Sequence, residues 1–160
     1  MTLMLSTMHA QKTKLNLLVG TYTNKCDSRG IYVYDFDATT ADFKYKNATS
    51  ASINPSYLTV AKENNFVYSV NENGKESTVS AFTYMPESGA LGFVNKESSQ
   101  GADPCYIIND TKNVIVANYS GGNIAVFGKN NDGSLTAAKQ VVNHKGSSVN
   151  SRRQEKPHAH

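Results

Sequence analysis

One pattern occurs three times along this sequence, with a period of about 48 residues. In each copy an apolar run ends in small polar residues, and a second apolar run then closes with an aromatic residue. These aromatic residues are Tyr34, Phe82 and Phe127, which lie 48 and 45 residues apart. A glycine in the turn that follows, Gly89, recurs 44 residues later as Gly133. Repeats of this length that contain only short strands are typical of β-propeller blades.

The composition agrees with an all-β fold and excludes several other classes. Hydrophobic residues make up 39% of the chain, with nine Tyr and six Phe, so there is enough β-forming apolar surface for a core. No apolar run approaches the roughly 18 residues of a membrane-spanning helix, and no helical periodicity persists. The net charge of +3 is too small and too dispersed to indicate nucleic-acid binding.

The repeats predict about three blades of a propeller whose blades have four antiparallel strands, named a to d from the inside outward. The blades cover approximately residues 15–50, 55–100 and 104–143, and a fourth begins at 157. Before Leu15 no strand a is recognisable, so the first blade is expected to contain only strands b, c and d. A closed ring needs about four to eight blades. We therefore expect residues 15–160 to be the N-terminal portion of one longer propeller domain, in which another part of the chain supplies the missing inner strand.

The residues before the first blade allow two interpretations. Residues 1–14 are predicted to be a flexible N-terminal extension, which would place the protein in the cytoplasm. The alternative is the remnant of a secretory signal peptide and a periplasmic protein, because Leu3-Met4-Leu5 precedes Met8-His9-Ala10-Gln11. The two cysteines, Cys26 and Cys105, have no metal-binding spacing and are predicted to be free thiols.

Strand direction predicts which polar residues can meet. Within a blade, strand a starts at the edge of the sheet where strand b ends. Glu72, Asn118 and Tyr119 at the ends of b strands should therefore lie on the same edge as His158 and His160, which open the fourth blade. Because the two histidines are two residues apart on a predicted strand, they should project in the same direction.

Positive charge is concentrated near the same edge. Residues 139–160 contain five Lys or Arg, one of which is Arg153, against a single acid, Glu155. A basic segment beside paired histidines is suited to an anionic substrate. Taken alone, such a segment is more often a solvated surface.

Several motifs together resemble a known family. They are Gly20-Thr21-Tyr22-Thr23, Asn54-Pro55-Ser56-Tyr57-Leu58, Val70-Asn71-Glu72, Ala117-Asn118-Tyr119-x-Gly121-Gly122 and Arg153-Gln154-x-x-Pro157-His158-Ala159-His160. These motifs resemble the lactonase family of seven-bladed β-propellers, which includes propeller-type 6-phosphogluconolactonases and the fungal 3-carboxymuconate lactonising enzyme. The resemblance extends from about Leu15 to the end of the chain. It implies an all-β propeller of which about three of seven blades are present.

The resemblance also implies a function: hydrolysis of 6-phosphogluconolactone or a related sugar lactone to the open acid. Two alternatives remain at this point, a muconate-type lactonising cycloisomerase and a binding or scaffold propeller without catalysis. The expected partner is a small anionic lactone, with no nucleic acid and no membrane, and the sequence leaves the oligomeric state undetermined.

The candidate site residues follow from strand direction and local charge together with the family resemblance. Lactone hydrolysis needs a base for water, a donor for the oxyanion and an acid for the leaving oxygen. His158 or His160 is predicted to transfer protons, and Arg153 to bind a phosphate or the oxyanion. The residues predicted to bind and orient the substrate are Glu72, Asn118, Tyr119 and Gln154. We expect no metal and no cofactor, because His158 and His160 lack a positioned third ligand.

Overall fold

The chain folds into three antiparallel β-sheets. The computed structural model describes residues 14–63, 65–150 and 152–160, and within them there are eleven strands and one 3-10 turn at Gly74–Glu76. The strands are β1 (Lys14–Gly20), β2 (Ile31–Asp37), β3 (Phe43–Thr49), β4 (Tyr57–Val60), β5 (Phe66–Asn71), β6 (Thr78–Met85), β7 (Ala90–Ser98), β8 (Pro104–Asn109), β9 (Asn113–Asn118), β10 (Asn123–Lys129) and β11 (Leu135–Asn143).

Each sheet is one blade, and its strands are neighbours in sequence order. The sheets are β1-β2-β3, β4-β5-β6-β7 and β8-β9-β10-β11, and each pair of adjacent strands is antiparallel. The prediction of an all-β propeller with four-stranded antiparallel blades is confirmed. In the described residues the first blade has three strands, as expected. The predicted extension 1–14 lies outside the described residues except for Lys14, which begins β1.

The recurrent aromatic residue marks an irregularity shared by all blades. The pairing of strands c and d shifts register between Val33 and Tyr34, between Ala81 and Phe82, and again just before Phe127. An extra residue in one strand bends a sheet and increases its twist. The repeated aromatic residue therefore marks the point at which the pairing of strands c and d changes register and the outer part of each blade bends.

The core lies between the blades, because both faces of a blade are apolar. Tyr68 and Val79 of the second blade pack on Val116 and Phe127 of the third in one buried cluster. A second cluster joins Phe82 of the second blade to residues of the first, including Ile31 and Leu18. Each blade therefore depends on its neighbours for burial of its apolar surface.

The turn between strands c and d fixes each blade to the one before it. Gly133 has a φ of +81°, and a β-carbon there would overlap the ring of Phe66 in the second blade. The Tyr68 hydroxyl donates to the Gly133 carbonyl over 3.1 Å. Glycine is required at this turn both for its backbone conformation and for the close approach.

The start of a fourth blade at Pro157 stays a prediction. Residues 152–160 contain no strand, and Pro157 lies against the second glycine of the Gly121-Gly122 pair in blade three. A strand exists only as part of a ladder, and no second strand pairs with this segment among the described residues.

The turn glycine gives a test of this inter-blade contact. Gly133→Ala should lower the free energy of unfolding by about 3 kcal/mol, because it combines a left-handed backbone with overlap on Phe66. Gly74→Ala is the matched control, since its φ is +58° but nothing lies within 4 Å of its β-carbon position. The control should lose about 1 kcal/mol. Urea denaturation of the intact protein measures both values, and equal losses would show that Phe66 does not constrain the turn.

Candidate functional site

Polar and aromatic side chains from three blades meet at one edge of the sheets. Strands b end there and strands a begin there, so residues far apart in sequence become neighbours. We call this cluster the rim and define it by Tyr22, Ser56, Glu72, Tyr119, His158 and His160.

Glu72 is at the centre of the contacts between the first two blades. Its Oε2 accepts a 2.6 Å hydrogen bond from the Tyr22 hydroxyl, and its Oε1 accepts one from the Ser56 hydroxyl. Its backbone is held as well, because Asn54 Nδ2 donates to the Glu72 carbonyl over 2.7 Å. Both carboxylate oxygens thus bind protein hydroxyls, and Glu72 holds the Tyr22 ring in place.

The bond to Glu72 changes the acidity of Tyr22. The hydrogen bond to the carboxylate, reinforced by partial burial and the negative charge, raises the pKa of Tyr22 to about 12. The phenol is therefore protonated, and donates to Glu72, throughout the neutral range. Its ring is 55% exposed. Tyr22 thus presents an aromatic face and a fixed phenolic oxygen at the rim.

His158 is held by Tyr119 in two ways. Their rings stack with centroids 4.4 Å apart and planes 23° from parallel. His158 Nδ1 lies 3.2 Å from the Tyr119 carbonyl oxygen, which can only accept a hydrogen bond. The proton of a neutral ring therefore sits on Nδ1, and Nε2 carries the free lone pair.

The environment of His158 Nε2 is partly shielded from water. The side chain is only 14% exposed, and Nε2 lies 3.9 Å from Glu155 Oε1. A positive charge formed on the ring would face this carboxylate, although the exposure of Glu155 weakens the interaction by solvent screening. His160 meets the same Tyr119 ring edge-on, at 5.9 Å and 88°. The two histidines thus face one aromatic side chain.

A glycine allows the histidine segment to dock on the third blade. Gly122 has a φ of +62°, and a β-carbon there would lie 2.5 Å from the Pro157 carbonyl oxygen. The Gly122 carbonyl accepts a bond from the backbone N–H of His144 over 3.0 Å. The turn after β9 thus holds Pro157 against Gly122, and the next residue, His158, stacks on Tyr119.

The basic segment at residues 139–160, which we call the connector, contains a turn around Arg153. The side chains of Arg153 and Gln154 at this turn are exposed to solvent. The backbone N–H groups of Arg153 and Gln154 donate to the Asn150 carbonyl over 3.1 and 2.8 Å, and the Gln154 carbonyl accepts from Ser148. Both side chains are exposed. Neither makes a hydrogen bond or ion pair with the part of the chain that the structure describes. The structure does not bring Arg153 or Gln154 into contact with the histidines.

Asn118 lies at the end of β9, behind the rim. Its side chain is fully buried, and Nδ2 donates to the Ser99 carbonyl and to Asn123 Oδ1, each over 2.8 Å. These bonds fasten the loop that enters the third blade. Oδ1 is buried and has no hydrogen-bond partner in the described residues. That Asn118 orients a substrate stays a prediction.

Comparison with known families shows which family the chain belongs to. Residues 16–160 match the family described as "Lactonase, 7-bladed beta-propeller". This chain belongs to that family. The resemblance noted in the sequence is confirmed, and so is the expectation of a partial propeller.

Individual relatives of this lactonase-family chain agree. It is 35% identical over 150 residues to the 6-phosphogluconolactonase of Bacillus subtilis, covering 92% of this chain and 42% of that protein. A crystal structure from Bacteroides fragilis, described as a candidate 6-phosphogluconolactonase, matches with a TM-score of 0.87 and 42% identity, covering 92% of this chain and 41% of that one. The periplasmic gluconolactonase of Pseudomonas aeruginosa matches with a TM-score of 0.78 and 34% identity, covering 88% and 41%. The chain thus spans about two fifths of the length of these relatives.

Three residues at this edge of the sheets were not among the predicted site residues. Tyr22 and Ser56 bind Glu72, and the Cys105 thiol lies 3.5 Å from the Ala159 carbonyl oxygen. Desolvation by burial raises the pKa of Cys105 and keeps it an unreactive thiol. The signal that could have found all three was their position, since each lies where a strand a begins or just beyond the end of a strand b.

Three further properties bear on the class of protein. Among residues 14–63, 65–150 and 152–160, no three His, Cys, Asp or Glu side chains are grouped so as to hold a metal ion. That the site uses no metal stays a prediction. Cys26 and Cys105 are free thiols, as expected. No helix in the described segments has the length and apolar character needed to cross a bilayer.

The contact between Tyr22 and Glu72 predicts a pH dependence. The folded-state pKa of Tyr22, about 12, lies above the ordinary value of 10. Its contribution to stability should be fully present below pH 10 and should disappear as the pH rises through 12. We therefore expect Tyr22→Phe to be less stable than the parent at pH 9 and the difference to shrink toward pH 12. Urea denaturation at both pH values measures this, and a constant difference would contradict it.

Proposed function

We propose that the intact protein hydrolyses a sugar lactone, 6-phosphogluconolactone or a close relative, to the open acid at the rim. The observation that carries the proposal is the arrangement of His158, whose Nε2 lone pair is left free by the bond from Nδ1 to Tyr119. Support also comes from the relatives, two of which are named 6-phosphogluconolactonases.

The chemistry assigned to His158 is general base catalysis. Nε2 takes a proton from a water molecule, and the resulting hydroxide adds to the lactone carbonyl carbon. When the tetrahedral intermediate collapses, the bond from that carbon to the ring oxygen breaks, and the imidazolium returns its proton to the departing oxygen. Glu155, 3.9 Å from Nε2, would stabilise the imidazolium between these two steps.

The remaining rim residues position the substrate. Glu72 holds Tyr22, which offers its ring face and phenolic oxygen to a sugar. The ring of Tyr119 orients His158 and His160. Arg153 and Gln154 project from the connector into solvent, where a guanidinium can bind a phosphate through two parallel hydrogen bonds or stabilise the developing oxyanion.

We propose further that this reaction uses no metal or other cofactor and takes place in the cytoplasm. Activation of water by a histidine is sufficient for a lactone, which is already a strained and reactive ester. A periplasmic location is the alternative, since one structural relative is a periplasmic gluconolactonase. Fractionation of cells that express the intact gene distinguishes the two.

Replacement of His158 tests the assigned base. In the intact protein, His158→Ala should lower the rate of lactone hydrolysis by roughly 10²- to 10⁴-fold and remove the acidic limb of the pH–rate profile. Its melting temperature should change little, because the segment adds little apolar surface to the blade cores. His144→Ala is the control, since His144 is exposed at the end of β11.

The same assay separates the alternatives. Wild-type rates in His158→Ala would place the base elsewhere. Loss of activity with EDTA and recovery with a divalent ion would make His158 and His160 metal ligands. A wild-type protein that is inactive on lactones but isomerises a muconate would be a cycloisomerase, and one inactive on both would be a binding propeller.

Arg153 is tested by comparing two substrates. Arg153→Ala should weaken turnover of a phosphorylated lactone by about 2 kcal/mol more than that of the unphosphorylated lactone, if the guanidinium binds the phosphate. Arg152→Ala is the matched control, because it removes the same charge from the adjacent position. Equal losses on both substrates would assign Arg153 to the oxyanion, and equal effects of the two variants would indicate a general effect of charge.

A further inference from the structure

A second pocket lies outside the rim, between the first two blades. It has a volume of about 440 Å³ and is enclosed by the loop at residues 50–53 and by the ends of β5, β6 and β7. Most of its lining residues are polar, among them Ser52, Asn71, Glu76, Thr78, Ser80 and Lys96, whereas Ala51 and Ile53 are apolar. The lining comes from the loop that joins the first two blades and from the second blade itself.

The repeat shows that this polarity is not needed for the fold. At one level of the second blade, three paired positions on strands b, c and d are polar, whereas the third blade is apolar at the equivalent level and packs into a core. The polar set is Ser69, Ser80 and Lys96, and the apolar set is Val116, Ala125 and Val141. The same architecture is therefore built with an apolar contact in one interface and with hydroxyls and an ammonium group in the other.

The position of the 50–53 loop explains why the pocket is open. In the third blade, Asn118 and Asn123 hold the corresponding loop against the sheet by donating to the carbonyls of Ser99 and Gln100. In the second blade Thr78 stands where Asn123 would be. The 50–53 loop is then held from below by one bond, from Asn71 Nδ2 to the Ile53 carbonyl over 3.1 Å. Space therefore remains between the 50–53 loop and the sheet. This space is the pocket, and we call it the wedge.

One hydroxyl in the lining of the pocket has no protein partner. The Ser52 hydroxyl is buried and makes no hydrogen bond with the described residues. Ser80, another lining residue, is only 1% exposed. Buried hydroxyls are normally hydrogen-bonded, and leaving them unpaired costs stability. Lys96 and Glu76 are exposed at the opening, and no ion pair joins them in the described part of the chain.

We infer that this pocket is a second ligand site, distinct from the rim, that binds a small polyhydroxylated monoanion of the sugar-acid class. Serine and threonine hydroxyls both donate and accept, so they match the hydroxyls of a polyol. Lys96 pairs with the carboxylate, and Glu76 accepts from a ligand hydroxyl and disfavours a dianion. The volume falls within the usual range of small-molecule sites.

The test gives the second blade the residues of the third. Gluconate is titrated into the intact protein by calorimetry, with Arg153→Ala present in every variant so that binding at the rim is weakened. We expect one gluconate to bind per chain in this background. Ser69→Val, Ser80→Ala and Lys96→Val together should abolish that binding without lowering the melting temperature, because the wedge then closes as an apolar contact.

A single substitution guards against misfolding of the triple variant. Lys96 is exposed, so Lys96→Met should fold normally and weaken gluconate binding by about 10-fold or more, since it removes the charged partner. The neutral polyol sorbitol should bind equally to the Arg153→Ala background and to the same background with Lys96→Met. The inference is wrong if the Arg153→Ala background does not bind gluconate, or if Lys96→Met and the triple variant bind it as the background does. Neither result depends on lactonase activity, which is measured separately on the parent protein.

Discussion

The structure depends on apolar packing between neighbouring sheets. Each blade is a thin layer that cannot bury its own faces, and Phe127 of the third blade is buried in a cluster that Tyr68 and Val79 of the second blade help to form. The turn at Gly133 then fixes the distance between these two layers. Once the spacing of the blades is set, the edge where strands a begin and strands b end is set as well. The rim is a consequence of that geometry, because its members come from three blades and from the segment beyond them.

The strands and their order could be predicted because they are determined by local pattern. Short apolar runs recurred at one period, and the bulge beside Tyr34, Phe82 and Phe127 fell at the position that the repeat had marked. The limits of prediction appeared where loops decide the outcome. Asn54 adopts a φ of +46° and Asp103 one of +52°. Asn and Asp tolerate this left-handed region better than most residues, but their presence alone does not predict the path of the loop. Loop shape determined that Nδ2 of Asn118 is bonded inside the blade.

The candidate site was predicted in position more accurately than in detail. Strand direction placed Glu72 and Tyr119 on one edge with His158, and they lie there. It gave no information on rotamers, so the bonds from Tyr22 and Ser56 to Glu72 could not be foreseen. The tautomer of His158 was equally hidden, since it depends on one carbonyl oxygen of Tyr119. Spacing along a chain indicates which residues can meet, whereas side-chain geometry determines what they do.

The contact of Pro157 with Gly122 has a consequence for the behaviour of the ring as a whole. The histidines are not carried by a strand of their own within residues 152–160 but are pressed onto the neighbouring blade. The chemistry proposed for them therefore lies at the contact between the segment 152–160 and the third blade, which we call the seam. Small movements of this segment relative to the blade, which would be harmless in the middle of a blade, alter the stacking of His158 on Tyr119. Rigidity of the seam thus becomes a requirement for function, and substitutions far from the histidines can act on the reaction by loosening it.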